Sequence, residues 1–166
     1  TLNPENNEPW AEVPEANKND VDIAVKAAQK AFVGSWSKLF PRDRAKYLKE
    51  IANQLRENSE HLGKIETIDT GKLFKETKTQ ANYIAEYYDY YAGLADKVEG
   101  TVLPIDKPNM QVITTRVPIG VVAAIIPWNS QMLLTAVKLA PALAMGNTVV
   151  IKSSELAPAT LFEFAK

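Results

Sequence analysis

Charged side chains are distributed very unevenly along this chain of 166 residues, and their distribution limits how the chain can fold. Of its 19 basic and 20 acidic residues, only five lie in positions 117–166, and residues 117–137 carry no charge at all. Prolines, a glycine and the polar residues 129–131 interrupt this apolar stretch, so we expect buried strands with a covering helix and no membrane span. Residues 1–116, which hold the other charges, are typical of amphipathic helices exposed to water.

The spacing of apolar residues predicts four helices in the first part of the chain. Asn19-Asp20 supplies good N-cap residues for the first helix, and Pro41 fits the first turn of the second. Asn58-Ser59 is placed to cap the third helix, which we expect to end at Gly71. The fourth helix is predicted to run from about residue 74 to residue 97.

After residue 100 the period of the apolar pattern changes from about four to two, which indicates strands. Residues 101–104 and 111–116 flank a turn and predict a β-hairpin. Residues 120–126 and 148–151 are continuous apolar runs, typical of strands buried on both faces. Residues 131–145, between these runs, predict a helix that is kinked or restarted around Pro141. The strand, helix and strand form a βαβ unit with a parallel sheet, so the predicted fold class is α/β.

The composition excludes several kinds of site. No two of the seven glycines lie closer than seven positions, so the chain has neither a Walker A loop nor the glycine fingerprint of dinucleotide-binding domains. With no cysteine and a single histidine, the chain offers no disulfide, no thiolate nucleophile and no cluster of metal ligands. A net charge of −1 provides no basic surface for nucleic acid. A nucleotide would therefore have to be bound in some other way.

Polar side chains follow both predicted parallel strands. The first strand leads into Pro127, Trp128 and Asn129, and the second ends at Lys152, with Glu155 three residues later. Because open parallel sheets bind ligands beyond the carboxyl ends of their strands, we expect these residues to border a cleft.

Each of these residues has a structural and a functional interpretation. Asn129 could be the N-cap of the next helix, or a neutral amide donor that faces developing negative charge. Trp128 could pack in the core or form a wall of a cofactor site. Lys152 could be solvated or could bind ribose hydroxyls or phosphate, and Glu155 could interact with a helix dipole or accept both hydroxyls of a ribose. Lys138, inside an otherwise uncharged helix, could extend to solvent or take part in function.

Ordered motifs across nearly the whole chain resemble those of the aldehyde dehydrogenase superfamily. The motifs that carry the resemblance are Glu66-Thr67-Ile68-Asp69-Thr70-Gly71-Lys72, Pro118-Ile119-Gly120-Val121-Val122, Ile125-Ile126-Pro127-Trp128-Asn129, Lys138-Leu139-Ala140-Pro141-Ala142-Leu143-Ala144-Met145-Gly146-Asn147 and Val150-Ile151-Lys152-Ser153-Ser154-Glu155. The cofactor domain of this family is a Rossmann variant without a glycine-rich phosphate loop, which agrees with the glycine spacing.

The resemblance implies roles for the residues that follow the strands. Asn129 matches the amide that stabilises the oxyanion of a thiohemiacetal, and Lys138 matches a lysine linked in some members to a proton relay. Lys152 and Glu155 match the pair that engages the adenosine ribose, where a glutamate usually goes with NAD over NADP. The residues that match positions along the cofactor cleft are Ile125, Ile126, Pro127 and Trp128.

The resemblance also implies an organisation for the chain. Residues 1–97 form an N-terminal helical segment, residues 98–116 a β-hairpin oligomerisation arm, and residues 117–166 the start of a Rossmann-like NAD-binding βαβ region, an incomplete domain. The expected parent is an aldehyde-oxidising homodimer or homotetramer. The sequence begins without a basic and apolar leader and has no Asn-X-Ser/Thr sequon, which favours a cytoplasmic protein.

The chain departs from the family in two positions and lacks two catalytic groups. Ser153 stands where the family usually has proline, and Gln131 stands where proline is common. The catalytic cysteine and glutamate of the family belong to motifs that follow the matched region, so this chain cannot form the thiohemiacetal alone. The sequence therefore predicts an N-terminal fragment of an NAD-dependent aldehyde dehydrogenase. The alternatives are a short, non-catalytic module for nucleotide binding or assembly, and a relative that catalyses acylating or phosphorylating reduction.

Overall fold

A computed structural model describes residues 1–166 and shows a mixed fold of helices and short strands. The helices are α1 (Lys18–Val33), α2 (Pro41–Glu57), α3 (Ser59–Thr70), α4 (Phe74–Leu94), α5 (Gln131–Ala144) and α6 (Ala159–Phe164). The strands are β1 (Leu2–Asn3), β2 (Glu8–Pro9), β3 (Val102–Leu103), β4 (Val112–Ile113), β5 (Val121–Ile125) and β6 (Thr148–Lys152). Short 3₁₀ turns cover Trp36–Lys38 and Trp128–Ser130. The predicted α/β class is confirmed, and none of the helices combines the length and hydrophobicity that a membrane crossing requires.

The predicted cap of α1 is wrong by two residues. The side chain of Asn17 accepts a hydrogen bond from the Asn19 amide at 2.8 Å, and Asp20 accepts one from the Asn17 amide at 2.8 Å. This reciprocal arrangement is a capping box, in which Asp20 is the partner of the cap and not the cap itself. The helix therefore begins at Lys18.

The boundaries of α2 and α3 follow the predicted signals more closely. Pro41 occupies the first turn of α2, where its missing N–H leaves no helical bond unmade. Gly71 ends α3 with a φ of 75°, in the left-handed region that favours glycine. The side chain of Asn58, predicted to cap α3, instead donates to the Gln54 carbonyl of α2 at 2.9 Å. Helix α4 ends at Leu94, three residues before the predicted end.

One hydrophobic core joins the N-terminal helices to the helix of the βαβ unit. Helix α4 packs against α2, α3 and α5, and α2 also contacts α5. Alanines at the contact surfaces of these helices allow their backbones to approach closely. The most deeply buried side chains of this core are Leu48, Ala52, Leu55, Ala81, Ile84, Ala85, Tyr88, Met132, Ala136, Ala140 and Ala144.

The predicted β-hairpin is present, but its strands are shorter than expected. β3 and β4 pair antiparallel over two residues each, with Val102 opposite Ile113 and Leu103 opposite Val112. Val102 is 64 % exposed and Ile113 is 62 % exposed, so these hairpin residues pack little against the rest of the chain. Without such packing, a two-stranded hairpin is only marginally stable, and its antiparallel pairing stays short.

β5 and β6 form the predicted parallel pair, in which Val121 lies opposite Thr148 and Ile125 lies opposite Lys152. Helix α5 connects them and α1 packs against β6. The expectation that both faces of these strands are buried is wrong for this chain, because exposure rises toward the carboxyl ends. Ala124 is buried, whereas Ala123 on the opposite face is exposed and Ile125 is 69 % exposed.

Candidate functional site

The register of the parallel pair brings the two polar segments to the same edge of the sheet. Ile125, the last residue of β5, lies opposite Lys152, the last residue of β6. The next amide, that of Ile126, donates to the Lys152 carbonyl at 2.9 Å, so the strands remain joined where they end. The segments that contain Asn129 and Glu155 therefore leave the sheet side by side, as the sequence predicted.

The four residues expected to border a cofactor cleft are not equally accessible. Ile125 is 69 % exposed, Trp128 is 53 % exposed, and Pro127 is exposed between them. These three offer an apolar surface beyond the carboxyl end of β5. Ile126 differs because the residue is 2 % exposed and packs with Ala124 and Leu161, so it does not offer its side chain to a ligand.

Asn129 lies in the 3₁₀ turn that connects β5 to α5, and its side chain does not cap the helix. Helix α5 begins at Gln131, and Ser130 occupies the N-cap position without a capping hydrogen bond from its side chain. Of the three residues in the turn, only Ser130 is buried, and Asn129 is exposed. The geometry therefore does not support the N-cap interpretation of Asn129, and its amide remains accessible near the start of α5.

Lys152 and Glu155 form an ion pair after β6. The Lys152 Nζ donates to the Glu155 Oε2 at 2.9 Å, and both side chains are more than half exposed. This hydrogen bond lowers the pKa of Glu155 below its ordinary value, so its carboxylate is ionised at neutral pH. A donor and an anionic acceptor at this separation suit the paired hydroxyls of a sugar.

Lys138 lies apart from these residues. It is in the middle of α5, about 10 Å along the helix axis from Gln131 at the usual rise per residue. Its Nζ donates to the Leu134 carbonyl of its own helix at 3.3 Å. The structure therefore does not bring Lys138 into contact with Asn129, Lys152 or Glu155.

A polar network beneath the 3₁₀ turn was not predicted from the sequence. Glu66, in α3, is fully buried, and its Oε1 accepts from Lys72 Nζ at 3.4 Å. Lys72 also donates to the Ser130 hydroxyl, and this hydroxyl donates to the Gln80 Oε1 at 3.4 Å. The network thus connects α3 and α4 to the residue that follows Asn129.

The sequence did contain a signal for this network. Leu62, Glu66 and Asp69 lie at helical spacing on one face of α3, and all three are buried. A carboxylate on the apolar face of an amphipathic helix indicates a buried polar contact. Asp69 accepts from the Thr1 hydroxyl at 2.9 Å and from the Ala159 amide at 2.8 Å, which connects the start of the chain to α6.

The comparisons with known proteins agree with this arrangement. The model of the aldehyde dehydrogenase family matches residues 1–166. A (Z)-2-((N-methylformamido)methylene)-5-hydroxybutyrolactone dehydrogenase of Acinetobacter baylyi is 54% identical over 167 residues, which are 100% of this chain and 34% of that protein. A betaine aldehyde dehydrogenase of Bacillus subtilis is 42% identical over 166 residues, which are 99% of this chain and 34% of that protein.

Solved structures show the same correspondence. A betaine aldehyde dehydrogenase from Staphylococcus aureus in complex with NAD+ has a TM-score of 0.94 and 38% identity, covering 99% of this chain and 33% of its own. An NADP-dependent enzyme of E. coli has a TM-score of 0.95 and 30% identity, covering 99% of this chain and 34% of its own. The chain therefore spans about a third of the length of these relatives.

Proposed function

Because the chain belongs to the aldehyde dehydrogenase family, we propose that it is the N-terminal part of an NAD-dependent enzyme that oxidises an aldehyde to a carboxylic acid. The observation that carries this proposal is the pairing of Ile125 with Lys152. That register places the turn with Asn129 beside the segment with Glu155, at the edge where parallel sheets bind ligands. The NAD+ complex of the Staphylococcus aureus relative supports the same cofactor here.

The exposed residues at this edge fit the adenosine end of NAD. Ile125, Pro127 and Trp128 offer an apolar surface, and the ion pair of Lys152 and Glu155 offers a donor and an acceptor to ribose hydroxyls. A carboxylate at this position repels the additional phosphate of NADP, so we infer a preference for NAD. When bound, NAD supplies the hydride acceptor of the reaction.

Asn129 is assigned to the stabilisation of negative charge on the aldehyde oxygen. Its amide is exposed, neutral and not engaged as a helix cap, so the N–H is free to donate to an oxyanion. The chain has no cysteine, so the thiolate that attacks the aldehyde must come from a segment outside these residues. A role for Lys138 in a proton relay stays a prediction.

We assign residues 98–116 to an oligomerisation arm between the helical segment 1–97 and the Rossmann-like region 117–166. The exposed apolar side chains of Val102 and Ile113 support this assignment, because such residues are commonly covered in an assembly. The parent enzyme is then a homodimer or homotetramer.

The test of this function uses the full-length protein that carries these residues. Oxidation of a panel of aldehydes is measured with NAD and with NADP, for the unmodified enzyme, for Asn129→Ala and for Asn53→Ala, an exposed control in α2. We expect Asn129→Ala to lower kcat about 100-fold or more without changing the Kd of the cofactor, because the lost donor serves mainly the transition state. Equal losses of kcat and of cofactor affinity would contradict the assignment and indicate a structural role.

The intact mass of the protein from its natural source distinguishes the enzyme from the alternative module. A mass well above 18.4 kDa agrees with a longer enzyme. A mass of 18.4 kDa would exclude catalysis through a cysteine by this polypeptide, and saturable binding of NAD would then identify a nucleotide-binding module.

A further inference from the structure

We propose that Lys72 is a positioning residue that fixes the turn containing Asn129 through the hydroxyl of Ser130. This proposal rests on the function proposed above for Asn129, and it adds a residue 57 positions earlier in the chain to the machinery that orients the reacting oxygen.

Ser130 is the buried anchor of an otherwise exposed turn. It is 8 % exposed, whereas Trp128 and Asn129 beside it are exposed. Its hydroxyl does not cap α5. The Ser130 hydroxyl accepts a hydrogen bond from Lys72 Nζ and donates one to Gln80 Oε1 at 3.4 Å. The turn is therefore bonded to the residue after the α3 cap and to helix α4.

Lys72 is itself held in place by a buried charge. Its Nζ lies 3.4 Å from Glu66 Oε1, and the Glu66 side chain is fully buried in α3. The left-handed Gly71 ends α3 immediately before Lys72, so the chain reverses direction at that point. Helix α3 thus supplies both the anionic anchor and the turn from which the lysine extends.

Taking a charge out of water is a costly way to stabilise a fold, and the Glu66 carboxylate of this ion pair is fully buried while the Lys72 side chain is 26 % exposed. Apolar side chains of similar volume often stabilise such a position equally well or better. The connection from Glu66 through Lys72 to Ser130 gives this pair a second role, which is to fix the backbone on which Asn129 is carried.

Small displacements matter at this position. A donor for an oxyanion must lie within about 0.5 Å of its productive place. The Asn129 side chain makes no capping bond that would orient it, so its position depends on the backbone of the turn. Loss of the Lys72 ammonium or of the Ser130 hydroxyl is therefore expected to displace the Asn129 amide without removing it.

The experiment is a double-mutant cycle in the full-length enzyme. Ser130→Ala and Lys72→Met are each made in the unmodified enzyme and in the Asn129→Ala enzyme. We expect each to lower kcat about 10-fold in the unmodified enzyme, to leave the Kd of NAD unchanged, and to cause no further fall in the Asn129→Ala enzyme. Lys64→Met is the control, because Lys64 pairs with Glu60 at the surface at 2.9 Å and has no contact with the turn.

Two further variants separate positioning from folding. Lys72→Met leaves the Glu66 charge unpaired, so a Glu66→Gln and Lys72→Met double variant removes both charges together. Ser130→Thr keeps the hydroxyl and is expected to recover most of the kcat that Ser130→Ala loses. A rescue of kcat by Ser130→Thr supports the hydrogen bond as the cause.

The outcomes distinguish this proposal from the one on which it rests. If Asn129→Ala is slow while Ser130→Ala and the charge-free double variant keep full kcat, the positioning role is wrong and the role of Asn129 stands. If Ser130→Ala lowers kcat equally with and without Asn129, the effect does not pass through Asn129 and the proposal is overturned. If Asn129→Ala keeps full kcat, both proposals fail.

Discussion

The ammonium of Lys152 lies 2.9 Å from the carboxylate of Glu155, at the carboxyl edge of the parallel pair. Both side chains are more than half exposed, and neither has another partner of opposite charge. The hydrogen bond from Lys152 lowers the pKa of Glu155 and so keeps its carboxylate ionised beside the ammonium at this edge. The proposed preference for NAD over NADP rests on this carboxylate.

Glu155→Gln in the full-length enzyme is expected to reduce the preference for NAD over NADP. The change removes the charge that repels the additional phosphate but keeps a group that accepts hydrogen bonds from hydroxyls. The ratio of kcat/KM for the two cofactors should fall about 10-fold, which is the effect of about 1.4 kcal/mol. Glu163→Gln is the control, because Glu163 pairs with Lys166 at 2.7 Å and with His61 at 3.0 Å outside this edge. An unchanged ratio in Glu155→Gln would contradict the assignment.

Asn147→Ala is expected to destabilise the protein. The Asn147 Oδ1 accepts from the amides of Ile119 and Gly120 at 2.7 and 3.1 Å, and the residue is 7 % exposed. The buried amide of Gly120 and the amide of the exposed Ile119 would lose their acceptor just before β5, which costs on the order of 1–3 kcal/mol. Thermal unfolding checks this, with Asn53→Ala at an exposed position of α2 as the control that should not lower the Tm. Equal Tm values for the two variants would show that water replaces the lost acceptor.

Local signals explain which parts of the fold could be predicted. Pro41 and Gly71 determine helix boundaries through backbone chemistry that acts within a few residues, and both predictions hold. The parallel pair was recognisable because its strands are continuous apolar runs on either side of a helix. The cap of α1 was misplaced because Asn17, Asn19 and Asp20 all have side chains that can cap, and only the reciprocal bonds select Asn17.

Contacts between distant residues explain what the sequence did not predict. The apolar run does not show which of the adjacent residues Ile125 and Ile126 is buried, because this depends on the packing of Ile126 against Leu161. Likewise, Lys72 and Ser130 are 58 positions apart, and only the packing of α3 against the 3₁₀ turn brings them together. The proximity of the segments that contain Asn129 and Glu155 could be predicted because it depends on the register of two paired strands.

Opposite effects on stability are expected for two glycine substitutions. Gly71→Ala places a side chain at a φ of 75°, and its Cβ would lie 3.0 Å from the Pro4 Cγ, so we expect a loss of about 1 kcal/mol or more. Gly93→Ala lies in helix α4 with no atom within 4 Å of the new Cβ, and we expect a gain of up to about 1 kcal/mol. Chemical denaturation of the two variants measures whether each change lowers or raises the free energy of unfolding. A lower free energy of unfolding in both variants would show that Gly93 has a packing role.

The buried Glu66 gives the stability of the protein a definite dependence on pH. Burial raises the pKa of this carboxyl above its ordinary value of 4.5, and the Lys72 charge opposes the rise without cancelling it. The unfolded chain therefore loses this proton at a lower pH than the folded chain does. Between the two pKa values the folded state binds more protons, so the stability contributed by this group falls as the pH rises.

Glu66→Gln removes this titration while keeping the shape of the side chain. The Tm of the unmodified enzyme minus that of Glu66→Gln should decrease as the pH rises from 4.5 toward the higher pKa of the folded state, and should then stay constant. The control is Glu86→Gln, at an exposed position of α4, measured over the same pH range. A difference that increases with pH would mean that Lys72 outweighs burial and that the folded protein favours the ionised form of Glu66. In that case the ion pair would stabilise the fold by itself, and its cost would no longer support a positioning role for Lys72.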